Sequence, residues 1–366
     1  MAALTSSITV TPDFLIVSFL TDLSLGHAGV MLQARQLGHS LHVGIHSDEA
    51  ILANKGPPVM NLAERVAAAD ACRWVTQSIP HAPYVTDLGW ISHYGCRYVV
   101  HGDDITSDAG GEDCYRFVKQ ANRFKVVKRT PGISTTDLVG RMLLGSREHF
   151  IPSLRDMITG TGADALAMRE RMTVYATDAS GLAPGVNVYM SSVSSASTPE
   201  YRFDSFITGT ASQPGQRIVY VDGGFDLFCS GHISFLFSVV QLEEKRAKAG
   251  GWSHDYSPCH VVAGIHDDHA INAAKEENYP IMNIFERGMC LLQCKVRILS
   301  GYSHCSSELC TNPDLPQSTS TPSSSPPLSS PALYICMHFL LVPQRLYTTV
   351  PHHTCQPHQE VTRTRT

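Results

Sequence analysis

Two Gly-His pairs raise the chemical question in this sequence. The first lies in "LSLGHAGVMLQARQLG" (23–38), with Gly26 at a turn and His27 opening an amphipathic helical pattern. Amide groups at a helix N-terminus point toward an anion, and an imidazole adds a donor where charge develops. A strand, loop and helix of this kind can bind phosphate. The second pair, Gly231 and His232, stands in "LFCSGHISFL", with Cys229 three residues before the histidine. Ser24 holds that place in the first copy. A lone Gly-His dipeptide fits an ordinary loop equally well, so the reading turns on what else the chain carries.

Two further stretches point toward a nucleotide. In "KRTPGISTTDL" (128–138) a pair of cations leads into a Pro-Gly turn, and Ser134, Thr135 and Thr136 open a helix. Backbone and hydroxyl donors there suit a polyphosphate, with Arg129 as a planar clamp. A plain helix cap is the competing reading. In "HGDDI" (101–105) a β-rich run ends in His101, Gly102, Asp103 and Asp104. Ligands of open α/β sheets sit at such carboxyl ends. Either aspartate could accept from a base amino group or hold a metal ion, while helix capping is the alternative for Asp104.

The elements that must position these residues alternate. Short β-rich runs ("FLIVSFL", "LHVGIH", "RYVVHG", "FKVVKR") are separated by amphipathic stretches such as "NLAERVAAADACRWV" and "EDCYRFVKQANRF". This order predicts a parallel sheet with helices on both faces. "STTDLVGRMLL" predicts a closing helix. Residues 146–215 are rich in small polar residues, Pro and Gly, and are expected to be a linker with limited helix in "ADALAMRERMTVYA".

From 216 the first pattern restarts. "LHVGIHSDEAILANK" matches "HVVAGIHDDHAINAAK", which sets Gly44 against Gly264, His46 against His266, Asp48 against Asp268 and Lys55 against Lys275. "VMNLAER" then matches "IMNIFER", pairing Arg65 with Arg287. This is an internal repeat. The second copy inserts "EEKRAKAGGWSHDYSP", read as a surface loop. Residues 296–366 include "TNPDLPQSTSTPSSSPPLSSP" and are expected to be a low-complexity or disordered tail. Its His and Cys residues have no metal-like spacing, and no metal site is assigned.

Composition narrows the partners. The 366 residues carry Lys+Arg 28 against Asp+Glu 33, a net charge of −5, so no basic field favours nucleic acid. The 11 cysteines show no CxxC pairs, and those before 300 lie mostly in apolar patterns, as reduced thiols of a cytoplasmic protein would. The run "FLIVSFL" has no Lys or Arg before it to form a signal peptide's basic start, "ALYICMHFLLV" is too short to span a bilayer, and neither is expected to be a membrane segment.

Taken together, "SLGH" (24–27), "KGPP" (55–58), "ER" (64–65), "HGDD" (101–104) and "RTPGISTT" (129–136) resemble the signatures of the cytidylyltransferases. The resemblance covers roughly 26–145 and 216–295 and is strongest to the tandem-repeat members that act on phosphoethanolamine. It implies a Rossmann-like nucleotidyltransferase fold in two repeats, the second truncated. It also implies transfer of a cytidylyl group from CTP to phosphoethanolamine with Mg²⁺, in phospholipid synthesis, and leaves a homodimer open. By resemblance His27, Lys55 and Arg129 are the catalytic set. Gly26, His27, Arg65, His101, Gly102, Asp103, Asp104, Arg129, Thr130, Ser134, Thr135 and Thr136 would bind CTP. The second repeat contributes Asp222, Gly223, Phe225, Asp226, Gly231, His232, Lys275 and Arg287.

Four departures set the rival readings. Ser24 replaces the first motif histidine, and "SFLTD" stands where the family has "DGxFD". Cys229 replaces the equivalent histidine in the second repeat, Glu276 stands where Gly is usual, and no second "RTxGxSTT" follows. Similarity begins at Gly26-His27 and ends at 295–297, so 1–25 and 296–366 are read as divergent or mis-spliced segments. A catalytically impaired CTP-binding or regulatory protein is therefore one alternative. A cytidylyltransferase for phosphocholine or glycerol phosphate is another. A class I aminoacyl-tRNA synthetase is disfavoured, because "RTPGISTT" stands where a Lys-rich loop would be needed.

Overall fold

The computed structural model describes residues 14–18, 25–103, 106–128, 130, 135–193, 201–295 and 339–342, of which 14–18, 25, 26, 135, 136, 192, 193, 201, 202 and 339–342 are described by backbone alone. The first repeat runs β1 (Phe14–Ser18), α1 (Leu25–Arg35), β2 (Leu41–Ile45), α2 (Asp48–Lys55), α3 (Leu62–Asp70), β3 (Gln77–Pro80), α4 (Leu88–His93), β4 (Tyr98–His101), α5 (Arg116–Gln120), β5 (Phe124–Val126) and α6 (Thr135–Leu144). Its five strands are all parallel, in the order β3-β2-β1-β4-β5. The order reverses between β1 and β4, and a crevice opens outside their carboxyl ends at such a point. The expected strands are all present. β3 is an addition: "QSIP" is short and ends in Pro80, which hid it from pattern reading.

The segment 146–215 corrects the expectation of a linker. It forms α7 (Leu154–Thr159), α8 (Ala163–Tyr175) and an antiparallel pair, β6 (Val188–Val193) with β7 (Tyr201–Ile207). Ile151, Leu154, Ile158, Met172 and Tyr175 enter the same apolar core as Trp74 of the first repeat and Leu291 of the second. Burying such side chains stabilises by about 1.5–3 kcal/mol each.

The second repeat copies the first half of the sheet. β8 (Arg217–Gly223) pairs in parallel with β9 (Cys259–His266), and α9 (Ser230–Ala249), α10 (Asp268–Lys275) and α11 (Ile284–Gln293) follow the order of α1, α2 and α3. The expected insertion loop is partly helix, because α9 continues for 20 residues to Ala249. β10 (Phe339–Val342) lies parallel to β9 on its other edge. Gly264 stands opposite Leu340 just as Gly44 stands opposite Ile79. A strand from the expected tail thus fills the place that β3 has in the first sheet; the rest of 296–366 lies outside the described residues.

The matching "ER" dipeptides show why the two copies fold alike. Glu64 and Glu286 each close a capping box with Asn61 and Asn283. Arg65 and Arg287 are each fully buried.

Candidate active site

The carboxyl edge of the first sheet gathers the sequence motifs. His27 is half-buried in the first turn of α1. His46 follows β2; its Nδ1–H donates to the Ala82 carbonyl over 2.9 Å. Burial, with the positive charges of Arg65, Lys55 and His101 nearby, pushes its pKa down to about 4. His101 ends β4 and is buried against Tyr115, with ring centroids 4.8 Å apart. Gly102 is buried and Asp103 exposed. Lys55, exposed at the end of α2, is brought near the loop after β4 by Asn54, whose Oδ1 accepts from the Ala109 amide at 2.8 Å.

The segment after β5 is docked on α1. The Gln33 side chain donates to the Lys128 carbonyl over 2.8 Å and accepts from the Lys128 amide at 3.1 Å. One turn earlier, Gly29 leaves room for Thr130: a Cβ at position 29 would collide with the threonine hydroxyl. Thr130 is buried and shares a side-chain hydrogen bond with Tyr175 of α8. A glycine and a glutamine four residues apart on α1 therefore seat Lys128 and Thr130 on the helix that His27 opens. Neither Gln33 nor Tyr175 was among the expected site residues. The i, i+4 spacing of Gly29 and Gln33 was a readable signal; nothing local marks Tyr175.

Several expected residues take other roles. Arg65 is fully buried: it donates through Nε to the Met60 carbonyl (3.1 Å), through Nη1 to the His46 carbonyl (2.7 Å) and through Nη2 to Asp48. It positions the end of β2 rather than facing a ligand. Arg287 repeats the pattern with Met282 O (3.0 Å), His266 O (2.7 Å) and Asp268 (2.7 Å), and adds Gly224 O. Asp226 accepts from the Ile281 and Met282 amides, each at 2.8 Å, and Phe225 is buried in the core. Arg65, Arg287 and Asp226 thus hold backbone groups in place, and Phe225 packs in the core. Asp104, Arg129 and Ser134 lie outside the described residues, and Gly26, Thr135 and Thr136 are placed by backbone only, in the first turns of α1 and α6.

The second repeat keeps the shape of a half-site with different chemistry. Asp222, the penultimate residue of β8, lies near His266, with a 4.0 Å separation between Oδ2 and Nε2. Gly223 follows Asp222 at the end of β8, and Gly231 falls in the first turn of α9. Cys229 caps α9, its Sγ lies 3.5 Å from His232 Nδ1, and the His232 ring stacks on Phe228 at 5.4 Å. The histidine contact lowers the Cys229 pKa to about 7. Lys275 Nζ sits over the Tyr279 ring at 5.5 Å.

The strand-order reversal between β1 and β4, the start of α1 with His27, and Lys128 and Thr130 docked on α1 have the layout of the cytidylyltransferase class. A family model described as cytidylyltransferase-like matches residues 23–141. Among relatives, the ethanolamine-phosphate cytidylyltransferase of Mus musculus is 38% identical over 274 residues, 74% of this chain and 65% of that protein. The enzyme of the same name in Dictyostelium discoideum is 38% identical over 270 residues, 74% of this chain and 67% of that protein. Choline-phosphate cytidylyltransferase A of Homo sapiens matches more narrowly, 34% identical over 143 residues and 38% of each chain. The chain belongs to the ethanolamine-phosphate cytidylyltransferase family. It spans just under two thirds of the length of the mouse relative.

Among the described residues no helix is long and apolar enough to cross a membrane.

Proposed function

We propose that this chain binds CTP at the carboxyl edge of the first sheet and transfers its cytidylyl group to phosphoethanolamine, giving CDP-ethanolamine and pyrophosphate. The observation that carries this reading is the docking of Lys128 and Thr130 on α1, through Gln33 and Gly29, in the turns of the helix that His27 opens. The acceptor phosphate is already a nucleophile, so the protein needs to position and neutralise charge rather than supply a base. One acceptor oxygen attacks the α-phosphorus in line, and the bond to the bridging oxygen breaks as pyrophosphate leaves. His27 and the amides at the start of α1 face the phosphates, Lys55 and Arg129 offset their charge, and Thr130 holds the loop in place. Mg²⁺ would enter on the triphosphate, neutralising charge and held mainly by substrate oxygens and water. Asp103, exposed after β4, is a carboxylate suited to add one ligand.

Ser24 supports a second reading, CTP binding with weak turnover, because a missing donor to developing charge costs about 10²–10³ in rate. Calorimetric titration with CTP, then product analysis with phosphoethanolamine, phosphocholine and glycerol phosphate, separates the readings. CTP binding with phosphoethanolamine as the preferred acceptor is expected, and failure to bind CTP refutes both. Binding without turnover selects the second reading. In that case, replacing 16–25 with the chain's own "VDGGFDLFCS", its Cys changed to His, should raise the rate at least about tenfold over Ser24→His.

A further inference from the structure

Thr130 and α6 are each anchored, and only one of the two anchors belongs to the first repeat. At the front, Gln33 and Gly29 seat Lys128 and Thr130 on α1. At the back the chain enters α6, whose Arg141 reaches into the second repeat. Arg141 Nη1 lies 2.7 Å from Glu286 Oε2 and Nη2 lies 2.9 Å from Oε1, a two-pronged pair with both side chains 13% exposed. Nη1 also donates to the Ile281 carbonyl over 3.0 Å, and Nη2 to Asp137 Oδ2 of α6 itself. Asn278 returns a bond, its Nδ2 donating to the Arg141 carbonyl over 2.9 Å. Glu286 is fixed in turn, since Oε2 accepts from the Asn283 amide in the α11 capping box. Partners locked on both sides make a rigid strut, because a planar guanidinium loses little freedom per bond formed.

We propose that Arg141 and Glu286 are positioning residues for CTP, through which the second repeat sets the placement of α6. This rests on the reading that the first repeat binds CTP. It gives the second repeat a task that requires no catalytic histidine, consistent with Cys229 at the motif position. The partners act at a distance: neither side chain need touch the nucleotide, and what they fix is where the first turn of α6 points its amides.

The test uses the full chain and the variants Glu286→Gln and Arg141→Lys. Gln keeps an oxygen for the Asn283 amide, as capping boxes accept Gln, but loses the carboxylate that pairs with the arginine. Lysine keeps the charge but cannot make the forked contact. Arg155→Gln, which breaks an ion pair with Asp204 between α7 and β7, serves as the control. Hydrogen exchange of α6 should quicken at least about fivefold in both variants and not in the control. The CTP dissociation constant and the KM for CTP should rise at least about fivefold, with the KM for phosphoethanolamine within about twofold. Faster exchange with unchanged CTP affinity, or no change in either, overturns the positioning role while leaving the function intact. An equal rise in both KM values also overturns it, as a general loss of fold would produce that. Absence of CTP binding by the unmodified chain sinks the functional reading and this one together.

Discussion

A single buried ring, His46, ties the active-site edge to pH. Its folded pKa is lowered to about 4 by burial and neighbouring cations, whereas an unfolded chain leaves it near the ordinary 6.5. A lowered value means that the unfolded state takes up the proton first. Stability is therefore complete above pH 6.5 and falls as pH drops toward 4, by about 3 kcal/mol for this group. His260 is lowered to about 4 by burial alone and adds in the same direction. Urea midpoints measured from pH 7 to 4 should decline less steeply in His46→Gln than in the unmodified chain; parallel curves would refute the assignment. Cys229 gives the opposite kind of residue-scale outcome. Cys72, Cys96, Cys114, Cys259, Cys290 and Cys294 are buried, while Cys229 is exposed with a thiol pKa lowered to about 7 beside His232. Brief iodoacetamide treatment at pH 7 should label Cys229 ahead of those six, and His232→Ala should slow it. Labelling of the buried six at a similar rate would count against the picture.

At the scale of elements, the end of α10 stores strain that its counterpart lacks. Gly56 follows α2 with φ 99°, a conformation natural to glycine. Glu276 follows α10 at φ 62° and ψ −160°, a region almost confined to glycine and costing about 1–3 kcal/mol for other residues. Glu276→Gly should therefore stabilise the protein by about 1 kcal/mol after the entropy that glycine loses on folding. Denaturant unfolding reads this directly, and a variant no more stable than the parent would show that the strain is relieved elsewhere. The position was legible in the sequence, because the repeat aligned Gly56 with Glu276. So were β1, β2, β4, β5 and the helices between them, since period and turn residues are local signals. The packing of 146–215 was not legible. Met172 and Tyr175 are buried on a helix whose neighbours are charged, and β6 and β7 are joined through a Ser-rich segment that reads as loop. The roles of Arg65 and Arg287 were equally hidden. A buried arginine and a phosphate-binding one look alike in sequence; only 0% exposure and carbonyl partners separate them.

Among the described residues the two repeats share one core despite the duplicated plan. Trp74, Met31 and Leu32 of the first repeat share an apolar core with Val261, Met289 and Leu291 of the second. The seam is also bonded along the backbone. The Arg73 amide donates to Gln293 O over 2.7 Å, its side chain reaches Leu292 O and Cys294 O, and Lys295 Nζ donates to Val75 O over 2.9 Å. Opening that seam would expose apolar surface on both sides and strand these buried carbonyls, each costing about 1–3 kcal/mol if left unpaired. The two repeats should therefore unfold together. Trp74 is fully buried near the seam and Trp252 lies in the second repeat, next to Tyr256. Variants with Trp90 replaced and only one of these two tryptophans retained allow each side to be followed by fluorescence in urea. Coincident midpoints and slopes are expected, as for a single cooperative transition. Removing the Arg73 side chain should separate the two curves before it abolishes either. Two transitions in the unmodified chain would show that the repeats fold independently and that the shared core contributes little.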